Sequence, residues 1–264
     1  MTAPDDRVTS VLGGRLRVHV KTAGAGPPVV FFHGAYGLTW DPFLDSLAER
    51  HTIYAPEHPG TTPGDPDAIQ AVDDLWDLVL LYDDLLDQLG LDRPALVGHS
   101  FGAMVAAEVA ATHRRRASRL ALISPIGLWR DDAPVLNWMT LAPDVLVKAV
   151  CYDPEGPIAK QAFALPEDPV AQMDVVVQLT WTLGCTGKLV WPIPDKGLKK
   201  RLHRIQAPTL IVWGRQDGLV PPVYAEEFQK RIAGSRVEMI DRAAHLPHLE
   251  QLGVVAPLIR SFLA

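Results

Sequence analysis

A serine placed between two glycines is the first feature of this sequence that could perform chemistry. Gly98, His99, Ser100, Phe101 and Gly102 fit the pattern G-x-S-x-G, in which a tight strand-to-helix turn exposes a serine hydroxyl. Glycines suit such a turn because they carry no side chain that would collide across it. The pattern therefore indicates that Ser100 is a nucleophile, the alternative being a buried turn without chemistry.

A serine hydroxyl alone is a weak nucleophile, so a general base must lie near it. His245 is in the segment RAAHLPHLE, after the last predicted strand and before the last predicted helix. A histidine in that loop can reach a serine at the end of another parallel strand, and we predict His245 as the base. His248 follows three residues later, and we expect it to lie on the surface of the last helix.

A carboxylate is also needed, because it holds the histidine in the correct tautomer. Asp217 follows the apolar segment 209–213 (TLIVW), which predicts a buried strand. The resulting chain order of nucleophile, acid and histidine is the order that accompanies G-x-S-x-G. Asp217 is therefore the predicted acid. Asp131 and Asp132, which follow the preceding predicted strand, remain alternatives.

Two backbone N–H groups could stabilise the negative charge that develops on a carbonyl oxygen during the reaction. Phe101 is predicted at the start of a helix, where the helix dipole favours an anion. Residues 33–37 (HGAYG) form a glycine-containing turn after another apolar strand, and Ala35 is the expected second donor. An ordinary turn is the alternative for this segment. We predict an oxyanion hole formed by Ala35 and Phe101.

Apolar and amphipathic segments alternate along most of the chain and must position these residues. The pattern predicts strands at 15–20, 28–32, 52–55, 95–97, 119–123, 209–213 and 236–240. It predicts helices at 43–49, 68–89, 103–112, 223–232 and 254–262. Such alternation is typical of an α/β fold with a mostly parallel central sheet and helices on both faces.

Residues 125–206 interrupt this alternation. The segment is rich in tryptophan, proline and helix-forming residues, which predicts a largely helical insertion between two core strands. Residues 1–124 and 207–264 would then form one core. Four apolar residues of the insertion could line a substrate pocket or form the insertion's own core: Trp138, Phe163, Trp181 and Leu183.

Composition excludes several classes of protein. Of the 264 residues, 48% are hydrophobic and 21% charged, which is typical of a globular chain and not of a disordered one. The net charge of -6 disfavours nucleic-acid binding. The 2 cysteines cannot form a disulfide framework, and no tight spacing of cysteine and histidine indicates a metal site. No stretch predicts a signal peptide or a membrane span, so we expect a cytoplasmic protein.

Four segments together resemble the α/β-hydrolase superfamily: HGAYG at 33–37, GHSFG at 98–102, WGRQDGLVP at 213–221 and AAHLPHLEQ at 243–251. They occur in the family's order along the chain. The resemblance is to a branch of small serine esterases and carbon–carbon bond hydrolases of aromatic ring cleavage. It implies an α/β-hydrolase fold with a helical cap at 125–206 and a Ser-His-Asp triad. It also implies a small, apolar ester as substrate and no metal or organic cofactor, in a monomer or homodimer.

Departures from this branch bear on the reaction. Leu246 follows the predicted base where ring-cleavage hydrolases usually have tryptophan, which favours an esterase. Ser100 differs from the aspartate that haloalkane dehalogenases and soluble epoxide hydrolases carry at this turn. Glu57 and His58 lie in a proline-rich loop, and a structural role is the favoured interpretation for both. Three alternatives remain: a carbon–carbon bond hydrolase, a binding or receptor protein on this fold, and a cofactor-free oxygenase or perhydrolase.

Overall fold

The computed structural model describes residues 3–264. Eight strands within this range form a single sheet. Its strands are β1 (Asp5–Val11), β2 (Leu16–Ala23), β3 (Pro28–Phe32), β4 (Thr52–Pro56), β5 (Ala95–His99), β6 (Leu120–Ile123), β7 (Thr209–Gly214) and β8 (Arg236–Ile240). They are ordered β1-β2-β4-β3-β5-β6-β7-β8 across the sheet. The pairs β1–β2 and β2–β4 are antiparallel, and all the other pairs are parallel. The predicted fold class is confirmed.

Nine α-helices occur within the described residues. They are α1 (Pro42–Ala48), α2 (Leu75–Gln88), α3 (Phe101–Thr112), α4 (Pro143–Val150), α5 (Pro157–Ala162), α6 (Pro169–Val190), α7 (Val223–Arg231), α8 (Pro247–Glu250) and α9 (Leu252–Leu263). The helices pack against both faces of the sheet. The predicted helices correspond to α1, α2, α3, α7 and α9, with shifted ends.

Two hydrophobic cores lie on opposite faces of the sheet, because successive side chains of a strand point to opposite sides. In β3, Val29 and Phe31 pack in the core that also contains α1 and α9. Val30 and Phe32 pack in the other core, with α2 and α3. A strand buried on both faces reads as a continuous apolar run, which is why PVVFF predicts β3 correctly.

The edge strand β1 is absent from the sequence prediction. Its residues DDRVTSV are mostly exposed, and only Thr9 and Val11 are buried. Hydrophobic alternation is therefore too short to indicate a strand. The strand forms because it pairs along its whole length with β2, from Asp5 opposite Thr22 to Val11 opposite Leu16.

The helix predicted over 68–89 is wrong at its N-terminal end. Residues 66–71 form a 3-10 helix instead, and α2 begins only at Leu75. The carboxylate of Asp74 accepts hydrogen bonds from the backbone N–H groups of Trp76 and Asp77, at 2.8 and 3.1 Å. A side chain that caps these free N–H groups starts the helix there, whatever the hydrophobic spacing before it.

The chain between β6 and β7 consists of helices separated by loops. It contains α4, α5 and α6 and two short 3-10 helices, and none of the residues 124–208, all described, lies in a strand. Its division from the core as a separate cap stays a prediction. Within residues 3–264, no helix combines the length and the apolar character needed to cross a lipid bilayer.

Candidate active site

Ser100 lies in a strained turn between β5 and α3. Its φ is 54° and its ψ is -116°, a backbone conformation that residues with a side chain rarely adopt. The Ser100 N–H donates to the carbonyl oxygen of Ile123 at the end of β6, at 2.9 Å, which helps to hold the turn. Strain of this kind persists only where the surroundings enforce it, and it concentrates at functional sites.

The two glycines of the motif are required by close backbone contacts. A Cβ on Gly102 would lie 2.1 Å from the carbonyl oxygen of Phe32, and one on Gly98 would lie 2.5 Å from that of Gly102. These contacts bring the start of α3 against the end of β3. The turn therefore requires glycine at both positions, because a Cβ at either one would collide with backbone atoms.

We expect Gly102→Ala to lower the free energy of unfolding by about 1–3 kcal/mol or more, because the added methyl group must displace backbone. Urea unfolding measures this change. The matched control is Gly253→Ala in α9, where an added Cβ meets nothing within 4 Å and should be neutral or slightly stabilising. Equal stability of the two variants would contradict the packing argument.

The three predicted triad residues lie in one chain of hydrogen bonds. The Ser100 Oγ is 2.8 Å from Nε2 of His245, and Nδ1 of His245 is 2.8 Å from Oδ2 of Asp217. All three side chains are buried. They follow β5, β7 and β8, whose carboxyl ends meet at one edge of the sheet because the strands are parallel. This is the arrangement in which a histidine can take the proton of a serine.

The Asp217 carboxylate is fixed by its own loop. Its Oδ1 accepts hydrogen bonds from the N–H groups of Leu219 and Val220, at 3.0 and 2.9 Å, which leaves Oδ2 for the histidine. The two alternative acids have other partners. Asp131 accepts from the indole N–H of Trp129, and Asp132 forms an ion pair with an arginine.

The end of α4 fastens the loops that carry the acid and the histidine. The carbonyl oxygen of Val150 accepts from the N–H of His245 at 2.9 Å, and that of Ala149 accepts from Gly218 at 3.0 Å. The His245 carbonyl oxygen in turn accepts from Nε2 of His99, at 2.8 Å. Part of the insertion thus positions both loops.

His248 is buried, which corrects the surface position expected for it. Its ring packs against His99, with 4.5 Å between centroids, and against Phe43 at 5.4 Å. Burial lowers the pKa of His248 to about 3, with a further contribution from His245, so the ring is neutral near pH 7. Of these two histidines, His245 is the one whose ring is within hydrogen-bonding distance of the serine.

The two predicted oxyanion donors are the backbone N–H groups of Ala35 and Phe101. Ala35 lies on the wall of the cavity that also contains Ser100. Phe101 is the first residue of α3, so its N–H has no acceptor within the helix. In the part of the chain that the structure describes, neither N–H donates a hydrogen bond. Both N–H groups thus lack an acceptor there, Phe101 is not among the residues of the cavity wall, and the oxyanion role of both stays a prediction.

A buried network holds the Ala35 loop, and sequence reasoning missed it. Nδ1 of His33 contacts the Gly34 carbonyl oxygen at 2.7 Å, and its Nε2 accepts from the N–H of His58 at 3.0 Å. Nε2 of His58 is 3.0 Å from the His33 carbonyl oxygen, and its Nδ1 pairs with the hydroxyl of Tyr82. Burial lowers the pKa of His58 to about 4, so both nitrogens keep these roles at neutral pH. No local pattern links residues so far apart in the chain.

We expect Tyr82→Phe to lower the free energy of unfolding by roughly 1–3 kcal/mol, since it leaves Nδ1 of His58 buried without a donor. Urea unfolding measures the change. Tyr54→Phe is the control, because the Tyr54 hydroxyl is not in this network. A Tyr82 variant as stable as the Tyr54 variant would show that the bond contributes nothing.

The Ser100 hydroxyl lies at a cavity of about 270 Å³ between the sheet edge and the insertion. Its wall is mostly apolar and includes Trp138 and Phe163, two of the four insertion residues selected from the sequence. Trp181 and Leu183 are not part of this wall, and Trp181 lies along a separate surface groove instead. The cavity has room for a small substrate with an apolar body.

A mostly parallel sheet that carries a serine turn after β5 and a histidine after β8 is an α/β-hydrolase fold. Residues 29–258 match the model of the Alpha/beta hydrolase family, and the chain belongs to that family.

Relatives of known name share most of its length. A 2-hydroxy-6-oxo-6-phenylhexa-2,4-dienoate hydrolase of Burkholderia cepacia is 25% identical over 94% of this chain and 91% of that protein. A pimeloyl-[acyl-carrier protein] methyl ester esterase of Vibrio campbellii is 24% identical over 94% of this chain and 98% of that protein. A solved meta-cleavage product hydrolase from Pseudomonas fluorescens superposes with a TM-score of 0.77, at 17% identity, over 97% of this chain and 96% of the other. The solved structure supports the fold.

Proposed function

We propose that this protein is a serine hydrolase that cleaves a small carboxylic ester with a largely apolar body. The observation that carries the proposal is the unbroken chain of hydrogen bonds from Ser100 through His245 to Asp217, with 2.8 Å at both links. This chain lies at the mostly apolar cavity. The esterase among the relatives adds support for the reaction class.

The geometry supports acyl transfer in two steps. Ser100 attacks the ester carbonyl carbon while Nε2 of His245 takes the hydroxyl proton. Asp217 keeps the proton of His245 on Nδ1 and stabilises the imidazolium that forms. The N–H groups of Ala35 and Phe101 would hold the oxyanion. His245 then protonates the leaving alcohol, and in the second step it activates the water that hydrolyses the acyl-enzyme.

A carbon–carbon bond hydrolase with the same triad is the rival reaction, because such enzymes are among the relatives. A dienoate substrate carries a carboxylate. No lysine or arginine lines the cavity among residues 3–264, and Asp41 is the one acidic residue on its wall. An anion buried there would lack a cationic partner, which is costly. The cavity therefore favours a substrate without a carboxylate.

A panel of p-nitrophenyl esters of varied acyl length and aromatic content tests the proposal, with a ring-fission dienoate run beside it. We expect turnover of the esters to exceed turnover of the dienoate. Faster cleavage of the dienoate would favour the carbon–carbon hydrolase. Tight binding without multiple turnover would favour a binding protein, and dependence on oxygen or peroxide would favour an oxygenase or perhydrolase.

A further inference from the structure

Asp41 is a charged side chain on the wall of an otherwise uncharged cavity. It lines the same cavity as Ser100, just before α1. The histidines His33, His99 and His248 also lie on that wall, and burial lowers the pKa of each, so they are neutral near pH 7. Within residues 3–264, no ion pair involves Asp41. Asp41 is thus the one acidic residue on the cavity wall in the described part of the chain.

The N-terminus of α1 explains the position of Asp41, but it offsets only part of the cost of burying its charge. Oδ1 accepts a hydrogen bond from the N–H of Leu44 at 2.9 Å, so the side chain caps α1. Asparagine caps a helix about as well as aspartate and carries no charge. Burial, with a smaller contribution from Asp45, raises the pKa of Asp41 from 3.8 to about 6. The carboxylate thus costs stability that a neutral cap would not.

A substrate group near Asp41 experiences this charge with little screening. Two unit charges about 7 Å apart, at an effective dielectric constant of about 20, interact strongly enough to change an equilibrium by tenfold or more. A cationic group would be attracted and would compensate the carboxylate, whereas an anionic group would be repelled and would find no cation on the wall. A charged Asp41 would therefore discriminate between cationic and anionic substrates.

We propose that Asp41 is a specificity-determining residue, which selects esters that carry an ammonium or similar cationic group and rejects esters that carry a carboxylate. This inference rests on the proposed ester hydrolysis and names its substrate class. It assigns Asp41 no part in the bond-breaking step, because the predicted triad and oxyanion donors supply that chemistry.

An isosteric set of esters tests the proposal. The set carries trimethylammonium, tert-butyl or carboxylate at the end of the acyl chain, and a second set carries the same groups in the alcohol. At pH 8 we expect wild-type kcat/KM to fall in the order cation, neutral, anion in at least one set. Asp41→Asn should reduce the ratio of cation to anion by about tenfold or more, with little change for the neutral ester.

The matched control is Asp45→Asn, which removes the same charge one helical turn away. Asp45 accepts from the indole N–H of Trp40 at 2.9 Å, and it is not part of the cavity wall. The proposal is overturned if the ratio in Asp41→Asn stays within twofold of wild type. It is also overturned if Asp45→Asn changes the ratio as much, because the discrimination would then come from the general field of the helix.

The urea stability of Asp41→Asn shows whether asparagine still caps α1. The carboxyl pKa is higher in the folded state than its usual value of 3.8, so ionisation removes stability as pH rises from about 4 through about 6. Asp41→Asn should therefore unfold at higher urea than wild type at pH 8, and the difference should shrink below pH 4. A variant less stable at pH 8 would show that the charge is compensated, which overturns the proposal.

Ketone isosteres of the same esters separate this inference from the proposed function. They bind without being cleaved, so their dissociation constants report charge preference whether or not the protein turns over an ester. If no ester is hydrolysed, the proposed function fails while the ketones still measure discrimination. If esters are hydrolysed and the ketones show no dependence on Asp41, only the present inference fails.

Discussion

Ser100→Ala is expected to lower kcat for p-nitrophenyl ester hydrolysis by roughly 10⁶-fold, as removal of a triad serine does in serine proteases. The variant loses the only hydroxyl that is 2.8 Å from Nε2 of His245 in the described residues. The remaining acceleration over water should come from the oxyanion donors and from substrate binding. Steady-state kinetics measures the loss, and an unchanged urea midpoint shows that the fold is kept.

Ser124→Ala is an unusually close control for this substitution. Ser124 follows β6 as Ser100 follows β5, it is buried, and its φ of 44° is also positive. Its Oγ has no hydrogen-bond partner within the described residues. The control should retain wild-type activity because the substitution removes only an unpaired hydroxyl. Near-wild-type turnover by Ser100→Ala would exclude Ser100 as the nucleophile.

Asp217→Asn should lower kcat by about 10⁴-fold, the effect of the equivalent change in a serine protease triad. The asparagine oxygen can still accept from the N–H groups of Leu219 and Val220, which would preserve the loop. If it does, the amide group faces Nδ1 of His245 with a donor, and the ring takes the tautomer that cannot accept the Ser100 proton.

The measurement for this second variant is kcat together with KM for one good ester. KM should change little, because the Asp217 side chain is not part of the cavity wall. Asp131→Asn, at the alternative acid, is the control and should leave both constants unchanged. If Asp131→Asn lowered kcat more than Asp217→Asn, Asp131 would be the acid that supports the histidine.

The parts of this protein that could be predicted from sequence are those with local causes. The serine turn could be predicted because its motif, from Gly98 to Gly102, is contiguous in the sequence. The strands β3 and β7 are short apolar runs because both of their faces are buried. The predicted catalytic residues follow such strands. Their positions in the fold could therefore be predicted from the sequence, whereas their catalytic roles remain predictions.

The parts that could not be predicted depend on partners far away in the chain. His58 is fixed by His33 and Tyr82, which lie 25 and 24 residues from it. His248 is buried because α8 packs against the ring of Phe43 from α1. Neither contact leaves a periodic pattern in the local sequence. That Asp41 is the one acidic residue of the cavity wall could not be predicted either, because it depends on which other residues line the cavity.

The predicted triad is also spread widely along the chain, and this has a consequence for how the protein is made. His245 is 145 residues from Ser100 and 28 from Asp217. Contacts over such distances carry a large loop-closure cost, which slows their formation. A nascent chain that has produced β5 and the serine turn lacks the predicted base, His245, until the chain beyond β8 has been made. If the predicted triad performs the chemistry, catalytic competence arrives with the last parallel strand, and a chain that stops before it cannot attack esters.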